Sequence, residues 1–242
     1  MSTEMGMNSR WIDIKAQDGG GFKGYLSLPH QVEKAGKGPG IVLIQEIFGV
    51  NSHIRAVADQ YASDGYTVLA PDLFWRMQPM VDLGYGPEDF QKGFGYMQKM
   101  DFAAAVKDLA ATVTALRGLP ECTGKVASIG YCMGGMLSYL CAANAGVDAA
   151  VCYYGGGIHT KLEEAGKIKC PLLFHFAGND SYIPASAVAA VKQTFARREG
   201  VRIDVYPGVD HGFNCWDRAA YNQQSAALAR GRSLSFLATT IS

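Results

Sequence analysis

Short apolar runs alternate with alanine-rich amphipathic stretches along most of the chain. The runs predict strands at Gly40 to Gln45, Thr67 to Pro71, Lys125 to Gly130, Ala149 to Tyr153, Leu172 to Ala177 and Val201 to Tyr206. The stretches between and after them predict helices at Asn51 to Ser63, Asp101 to Arg117, Met133 to Ala145, Ala185 to Arg198 and Ala219 to Leu237. This alternation is typical of a mainly parallel sheet flanked by helices.

Two segments depart from the alternation. Trp11 to Lys15 and Phe22 to Leu28 alternate apolar and polar residues on either side of a glycine-rich turn, which predicts an antiparallel hairpin. Phe74 to Met100 is rich in methionine, glycine and aromatic residues without a clear period, so we expect a lid-like segment there. Because no repeat or linker-like tract interrupts the chain, residues 1–242 are expected to form a single domain.

Composition and charge narrow the class of protein. Only 18% of the residues are charged and the formal net charge is zero, with no long run of one sign. Neither nucleic acid nor an anionic membrane surface is therefore expected as a partner. Met1 to Arg10 lack the apolar core of a signal peptide, and no stretch approaches the roughly 20 apolar residues that cross a bilayer. We expect a cytoplasmic protein, either a monomer or a small homo-oligomer.

The cysteine and glycine patterns do not predict a cofactor. The six cysteines form no Cys-x-x-Cys pair, which fits neither a zinc ribbon nor a disulfide framework. Most stand in apolar strings such as Val151 to Tyr153, where cysteine is typically a small buried hydrophobe. Gly19 to Gly21 precede a predicted strand rather than opening a helix after one, so they are no dinucleotide fingerprint. No metal or organic cofactor is expected.

Cys132 is the exception among the cysteines. The predicted strand that begins at Lys125 runs into Gly130-Tyr131-Cys132-Met133-Gly134-Gly135 and then into a predicted helix. This is the pattern of a nucleophile elbow, a strained turn that needs small residues two positions before and after the nucleophile. The amino end of the following helix favours a thiolate there. Taken alone the string is weak evidence, since such turns also serve packing.

The residues that follow in the chain strengthen this interpretation. In the α/β-hydrolase fold an acid and then a histidine follow the nucleophile on later strand ends. Asp180 lies in the polar turn after the fifth predicted strand, and His211 lies in the loop after the sixth. The order predicts an α/β-hydrolase fold in which Cys132 forms an acyl intermediate, His211 transfers the proton and Asp180 orients His211. Asp210 is the competing acid, but adjacent residues of an extended segment project to opposite sides.

Each of these residues also has a structural interpretation. Asp180 could cap the helix that follows it. An isolated histidine is more often a core or surface residue than a catalyst, and we interpret the remaining four in that way. They are His30, His53, His159 and His175.

Five blocks of the sequence resemble the dienelactone hydrolase (carboxymethylenebutenolidase) family. They are Gln45 to Asn51, Ala70 to Phe74, Gly130 to Gly135, Tyr153 to Gly155 and the loop of His211. The resemblance runs from about Phe22 to the C-terminus. It implies a hydrolase that opens small lactones or activated esters through an acyl-cysteine.

The resemblance also implies roles for residues near Cys132. Glu46 would lie close to the thiol, help to generate the thiolate and swing between partners when substrate enters. The backbone N–H groups of Ile47 and Met133 would form the oxyanion hole, in agreement with the rule that the residue after the nucleophile donates one of them.

The resemblance further implies a carboxylate-bearing substrate held by arginines. Arg76 matches one such position, and a guanidinium suits a planar carboxylate. The second would fall four residues after His211, where this chain has Cys215, so Arg218 is a candidate replacement. Gly212 replaces a hydroxyl residue found in some members. The other side chains expected to line the pocket are Phe74, Trp75 and Tyr153.

Two other classes of function stay open at this level. In one, the activated Cys132 serves thiol redox chemistry or scavenges electrophiles, which predicts labelling without hydrolysis. In the other, a hydrolase scaffold serves only for binding. A binding module has no need of Cys132, Asp180 and His211 together, so hydrolysis is the favoured interpretation.

Overall fold

A computed structural model describes residues 8–29 and 37–242. His30 and the stretch Met1 to Met7 lie outside the described residues. Among the described residues no helix combines the length and the apolar character needed to span a bilayer.

One eight-stranded sheet forms the centre of the protein. In chain order, β1 to β8 are Asn8–Lys15, Gly21–Leu28, Gly38–Ile44, Thr67–Pro71, Cys122–Tyr131, Ala149–Tyr153, Leu172–Ala177 and Val201–Tyr206. Their spatial order is β1-β2-β4-β3-β5-β6-β7-β8. The β1–β2 hairpin and the β2–β4 pair are antiparallel, and every later pair is parallel. The predicted mainly parallel sheet is confirmed.

In the described part of the chain, six α-helices flank the sheet. In chain order, α1 to α6 are Ser52–Ser63, Pro87–Lys99, Phe102–Arg117, Met133–Asn144, Ala185–Phe195 and Gln223–Thr240. Three of them begin at side chains that accept backbone N–H groups of the first turn, which the helix itself leaves without partners. These caps are Asn51, Asp101 and Asn222.

Helix α2 lies in the segment for which the sequence predicts no regular element. Pro87 occupies its first turn, where a missing N–H costs nothing. Glu88 and Asp89 lie in the first turn and Lys99 in the last, which matches the helix dipole. Gly93 is buried because α2 packs closely on the loop after β3: a Cβ there would lie 2.4 Å from the carbonyl oxygen of Ile47.

The sheet brings the candidate catalytic residues to one edge. Glu46 follows β3, Cys132 follows β5, Asp180 follows β7 and His211 follows β8. Because these strands are parallel, the loops after them meet at the carboxyl edge of the sheet. The order of strands therefore accounts for the convergence of residues far apart in sequence.

A buried polar network lies inside the sheet at His175. Its Nδ1 is 2.8 Å from the Tyr206 hydroxyl, and its Nε2 is 2.9 Å from the Ser233 hydroxyl. The Ser233 hydroxyl is in turn 2.7 Å from that of Tyr153. Burial, together with nearby arginines, lowers the pKa of His175 to about 3, so the imidazole is neutral at pH 7. Each of its ring nitrogens is hydrogen-bonded to a neutral hydroxyl group. His175 thus has the structural role that the sequence predicts.

This network predicts a loss of stability in acid. An unfolded chain takes up a proton at histidine near pH 6.5, whereas folded His175 resists protonation down to about pH 3. The contribution of His175 to the free energy of unfolding is therefore fully present above pH 6.5. It is lost as the pH falls, by about 2 kcal/mol between pH 7 and pH 5. In urea unfolding, the stability gap between the native protein and His175→Gln should narrow by that amount at pH 5. If the difference in stability between the two proteins did not change with pH, His175 would not be the source of the acid sensitivity. His159→Gln, which removes an exposed imidazole, is the control and should leave the pH dependence of stability unchanged.

Candidate active site

Cys132 occupies a strained turn between β5 and α4. Its φ of 56° and ψ of −119° lie in a region that non-glycine residues rarely adopt. The turn is closed by glycines: a Cβ on Gly130 would lie 1.8 Å from the carbonyl oxygen of Gly134. The N–H of Cys132 donates to the carbonyl oxygen of Tyr153, 3.0 Å away, which fixes the turn to β6. The thiol thus stands at the amino end of α4.

His211 and Asp180 form a closely hydrogen-bonded pair. The Nδ1 atom of His211 lies 3.0 Å and 3.1 Å from the two carboxylate oxygens of Asp180, whose side chain is only 1% exposed. Asp180 also accepts the N–H groups of Tyr182 and Ile183. Helix α5 begins later, with Pro184 at its cap position, so Asp180 organises the turn rather than capping the helix.

Asp210 does not hold the imidazole ring. Its side chain accepts the N–H of Ser181, at 2.8 Å, and the N–H of His211, at 2.6 Å. The ring of His211 instead lies between Tyr154 and Tyr182, with both ring centroids 5.0 Å from its own. Asp210 therefore fixes the backbone of the loop while Asp180 fixes the ring.

The surroundings of His211 favour its charged form. Burial by itself would lower the pKa of the imidazole, but the negative charge of Cys132 and hydrogen bonds to Asp180 and Cys132 raise it to about 10. The imidazolium form of His211 is thus favoured, and in this form the ring can donate a proton to an oxygen in the cavity.

Glu46 is paired with Arg218 in this structure. Its Oε1 atom lies 3.1 Å from an Nη1 atom of Arg218, and its side chain is 1% exposed. Within the described part of the chain, Oε2 of Glu46 is buried without a hydrogen-bond partner. Burial raises the pKa of Glu46 in spite of the opposing influence of Arg218 and His211. The carboxylate is therefore held near the site by one ion pair.

Two backbone N–H groups near Cys132 are available to a ligand. Ile47 and Met133 both line the same cavity as the thiol. Among residues 8–29 and 37–242, neither N–H donates a hydrogen bond to another protein atom. Such paired donors suit an oxygen that becomes negative during acyl transfer.

The cavity that contains the thiol has a volume of about 210 Å³ and is largely apolar. Its lining residues are Ile47, Phe48, Phe90, Phe94, Met97, Cys132, Met133, Met136, Gly156, Gly157, Tyr182, His211 and Arg218. Arg218 is the one lysine or arginine among them. A carbonyl compound that enters this cavity meets a thiol, a histidine and two N–H donors together.

Comparison with known proteins places the chain in a family. The family model described as the dienelactone hydrolase family matches residues 22–241. The chain belongs to the dienelactone hydrolase family. It is 34% identical to a carboxymethylenebutenolidase of Pseudomonas putida, covering 96% of this chain and 97% of that protein. A putative carboxymethylenebutenolidase of Azospirillum brasilense is 36% identical, covering 93% and 96% of the two chains.

A solved structure agrees with the assignment. A putative dienelactone hydrolase from Klebsiella pneumoniae superposes with a TM-score of 0.82 at 28% identity, covering 96% of this chain and 98% of that one. The resemblance stated from the five sequence blocks and the predicted α/β-hydrolase fold are both confirmed.

Arg76 does not reach the cavity in this dienelactone hydrolase family member, contrary to the expectation that it holds the substrate. Its Nε and Nη2 atoms donate to the two carboxylate oxygens of Asp108, at 3.0 Å and 2.8 Å, and Nη1 donates to Asp18 at 2.6 Å. Its guanidinium also lies 4.3 Å above the ring of Trp75. These contacts fully engage Arg76 in joining α3 to the loops after β1 and β4.

The other predicted pocket side chains also serve packing. Trp75 stacks on Phe22 and donates its indole N–H to Asp108. Phe74 is fully buried next to Tyr96. Tyr153 is fully buried, and its hydroxyl belongs to the network of His175. None of Phe74, Trp75 and Tyr153 is among the residues that line the cavity.

Helix α2 supplies a cavity wall that the sequence analysis missed. Phe90, Phe94 and Met97 are spaced four and three residues apart, which places them on one face of a helix. This spacing was the available signal, and the intervening glycines at 93 and 95 obscured it. Part of the predicted lid-like segment therefore covers the site with aromatic side chains.

Proposed function

We propose that the protein hydrolyses small lactones or activated esters through an acyl intermediate on Cys132. The observation that carries the proposal is the convergence of Cys132 and His211 in one cavity, with Asp180 hydrogen-bonded to the far nitrogen of His211. Membership of the dienelactone hydrolase family supports lactone hydrolysis. The names of the carboxymethylenebutenolidase relatives point to the same chemistry.

In acylation, His211 takes the proton of the Cys132 thiol and holds it as an imidazolium. The Cys132 sulfur attacks the lactone carbonyl, whose oxygen accepts hydrogen bonds from the N–H groups of Ile47 and Met133 as it becomes negative. Collapse of the tetrahedral intermediate breaks the bond to the ring oxygen. His211 gives its proton to that oxygen, which leaves an acyl-cysteine with a hydroxyl at the other end of the same chain.

Deacylation reverses the roles of the same groups. Neutral His211 accepts a proton from water as the water oxygen attacks the thioester, and Asp180 stabilises the imidazolium that forms. The thiolate leaves and the hydroxy acid is released. One lactone and one water thus give one hydroxy acid, with no redox change and no co-reactant.

Glu46 has a supporting part in this scheme. In the observed arrangement it balances the charge of Arg218. A role in generating the thiolate, as the family resemblance implies, requires the carboxylate to leave Arg218 and turn towards Cys132. Because Oε2 has no hydrogen-bond partner in the described part of the chain, this oxygen can turn away without breaking a hydrogen bond.

The choice of acid provides a test of the mechanism. We expect the native protein to hydrolyse dihydrocoumarin, and Asp180→Asn to lower kcat by about 100-fold or more, because the amide no longer stabilises an imidazolium. Asp210→Asn is the matched control, since Asp210 accepts the backbone N–H groups of Ser181 and His211 and does not hold the imidazole ring. Its kcat should stay within about fivefold of native, as expected for a residue outside the proton transfer. Equal losses in the two variants would contradict the assignment of Asp180.

The same assay separates hydrolysis from the thiol-based alternative. A protein that turns over neither lactones nor activated aryl esters, while iodoacetamide still labels Cys132 rapidly, would be a redox or electrophile-scavenging protein. Steady turnover without accumulation of modified protein supports the hydrolase.

A further inference from the structure

We infer that the preferred substrates are electrically neutral lactones or esters that carry an aryl group, and that Phe94 and Phe90 of α2 select them. The inference rests on the proposed hydrolysis at Cys132. It concerns which molecules the cavity admits, and it departs from the carboxylate-bearing substrate that the family resemblance implies.

One wall of the cavity is aromatic. The rings of Phe90 and Phe94 are stacked, with centroids 6.3 Å apart and planes 9° apart, and Phe48 lies 6.4 Å from Phe90. Met97 and Met136 fill the same wall with polarisable thioethers. The cavity of about 210 Å³ exceeds the roughly 150 Å³ of an apolar cavity that holds benzene. Phe94 is 40% exposed, so its ring has a free surface for a substrate ring.

The charges around the cavity do not favour an anion. Arg218, the one arginine in the lining, is already paired with Glu46, and a substrate carboxylate would have to compete with that buried partner. Arg76 is engaged elsewhere by Asp108 and Asp18. No other lysine or arginine lines the cavity in the described part of the chain.

The entrance adds negative charge. An outer depression shares Tyr182, His211 and Arg218 with the cavity, and it is also lined by Asp210 and Asp217. The pKa of Asp210 is lowered, against the effect of burial, by hydrogen bonds from the N–H groups of Ser181 and His211, so this carboxylate is ionised at neutral pH. These two carboxylates offset the positive charges of His211 and Arg218 in the same depression, so an approaching carboxylate gains little attraction there, whereas a neutral ring needs none.

The test compares three lactones: dihydrocoumarin, which is neutral and aryl-bearing; δ-valerolactone, which is neutral without an aryl group; and carboxylate-bearing dienelactone. Phe94→Ala should lower the ratio of kcat/KM for dihydrocoumarin over δ-valerolactone by about 5- to 20-fold, mainly through KM, because a ring contact is lost. Phe94→Leu should retain part of the preference. Gln91→Ala, an exposed change elsewhere on α2, should leave the ratio unchanged.

Salt dependence tests the charge of the entrance. For dienelactone, kcat/KM should not fall as salt is added, because Asp210 and Asp217 offset the positive charges of His211 and Arg218. A fall with salt would show attraction to a cation and would overturn the inference. So would equal effects of Phe94→Ala on both neutral lactones. If the native protein hydrolyses none of the three lactones and no activated aryl ester, the proposed hydrolysis itself fails, which is a different outcome from hydrolysis without aryl preference.

Discussion

Cys132→Ala is expected to lower kcat for lactones and activated esters by at least about 10⁴-fold. The substitution removes the atom that carries the acyl group, and neither His211 nor the N–H groups of Ile47 and Met133 can replace it. Acid quenching of native protein during turnover of an activated ester should leave one acyl group on Cys132, detectable by mass spectrometry. The variant should carry none.

Cys170→Ala provides the matched control. Cys132 and Cys170 are the two cysteines of the chain that are not fully buried, and Cys170 lies outside the cavity lining. This variant should retain native turnover and acylation. Residual activity of Cys132→Ala near the native rate, or an acyl group on another residue, would mean that the nucleophile is not Cys132.

Gly130→Ala is expected to cost about 3 kcal/mol or more of the free energy of unfolding, or to prevent folding. The added methyl group would lie 1.8 Å from the carbonyl oxygen of Gly134 and 2.9 Å from the N–H nitrogen of Gly135. Both are backbone atoms at the start of α4, so they cannot move aside as a flexible side chain would. Urea unfolding measures the loss, and soluble yield reports failure to fold.

Gly231→Ala is the opposite case in the same protein. Gly231 is exposed within α6, and nothing lies within 4 Å of an added Cβ. Alanine loses less conformational freedom on folding than glycine, so this variant should gain about 0.5 to 1 kcal/mol. If both substitutions had similar effects, close packing at the elbow would not explain the requirement for Gly130.

The sheet could be predicted from sequence because its signal is local. Four of the strands have the predicted bounds: Thr67–Pro71, Ala149–Tyr153, Leu172–Ala177 and Val201–Tyr206. The first three are mainly apolar and buried along their whole length, which is typical of inner strands of a parallel sheet. Val201–Tyr206 is the edge strand and is predicted instead by alternation of apolar and polar residues. Helix ends were less certain: α5 ends at Phe195 rather than Arg198, and α6 begins at Gln223 rather than Ala219.

Other features depend on contacts that no local pattern contains. Arg76 was expected at the substrate because it stands near a matching sequence block, yet it lies in the loop after β4 and its partner Asp108 is 32 residues away on α3. Helix α2 contains two glycines, at positions 93 and 95, which lower its intrinsic helix propensity. Its stability comes from packing, including the close approach of Gly93 to Ile47. By contrast, the order of Cys132, Asp180 and His211 along the chain is visible in the sequence without any tertiary contact.

The contact between Gly93 and Ile47 links the size of the pocket to the position of a proposed oxyanion donor. Helix α2, which lines the cavity, also packs against the carbonyl group of Ile47, the residue whose N–H is proposed to stabilise the oxyanion. A change in α2 that enlarges the pocket therefore also shifts an oxyanion donor, and precise placement of that donor governs turnover. Variants selected for a broader range of substrates should accordingly change Phe90, Phe94 or Met97 while keeping glycine at position 93.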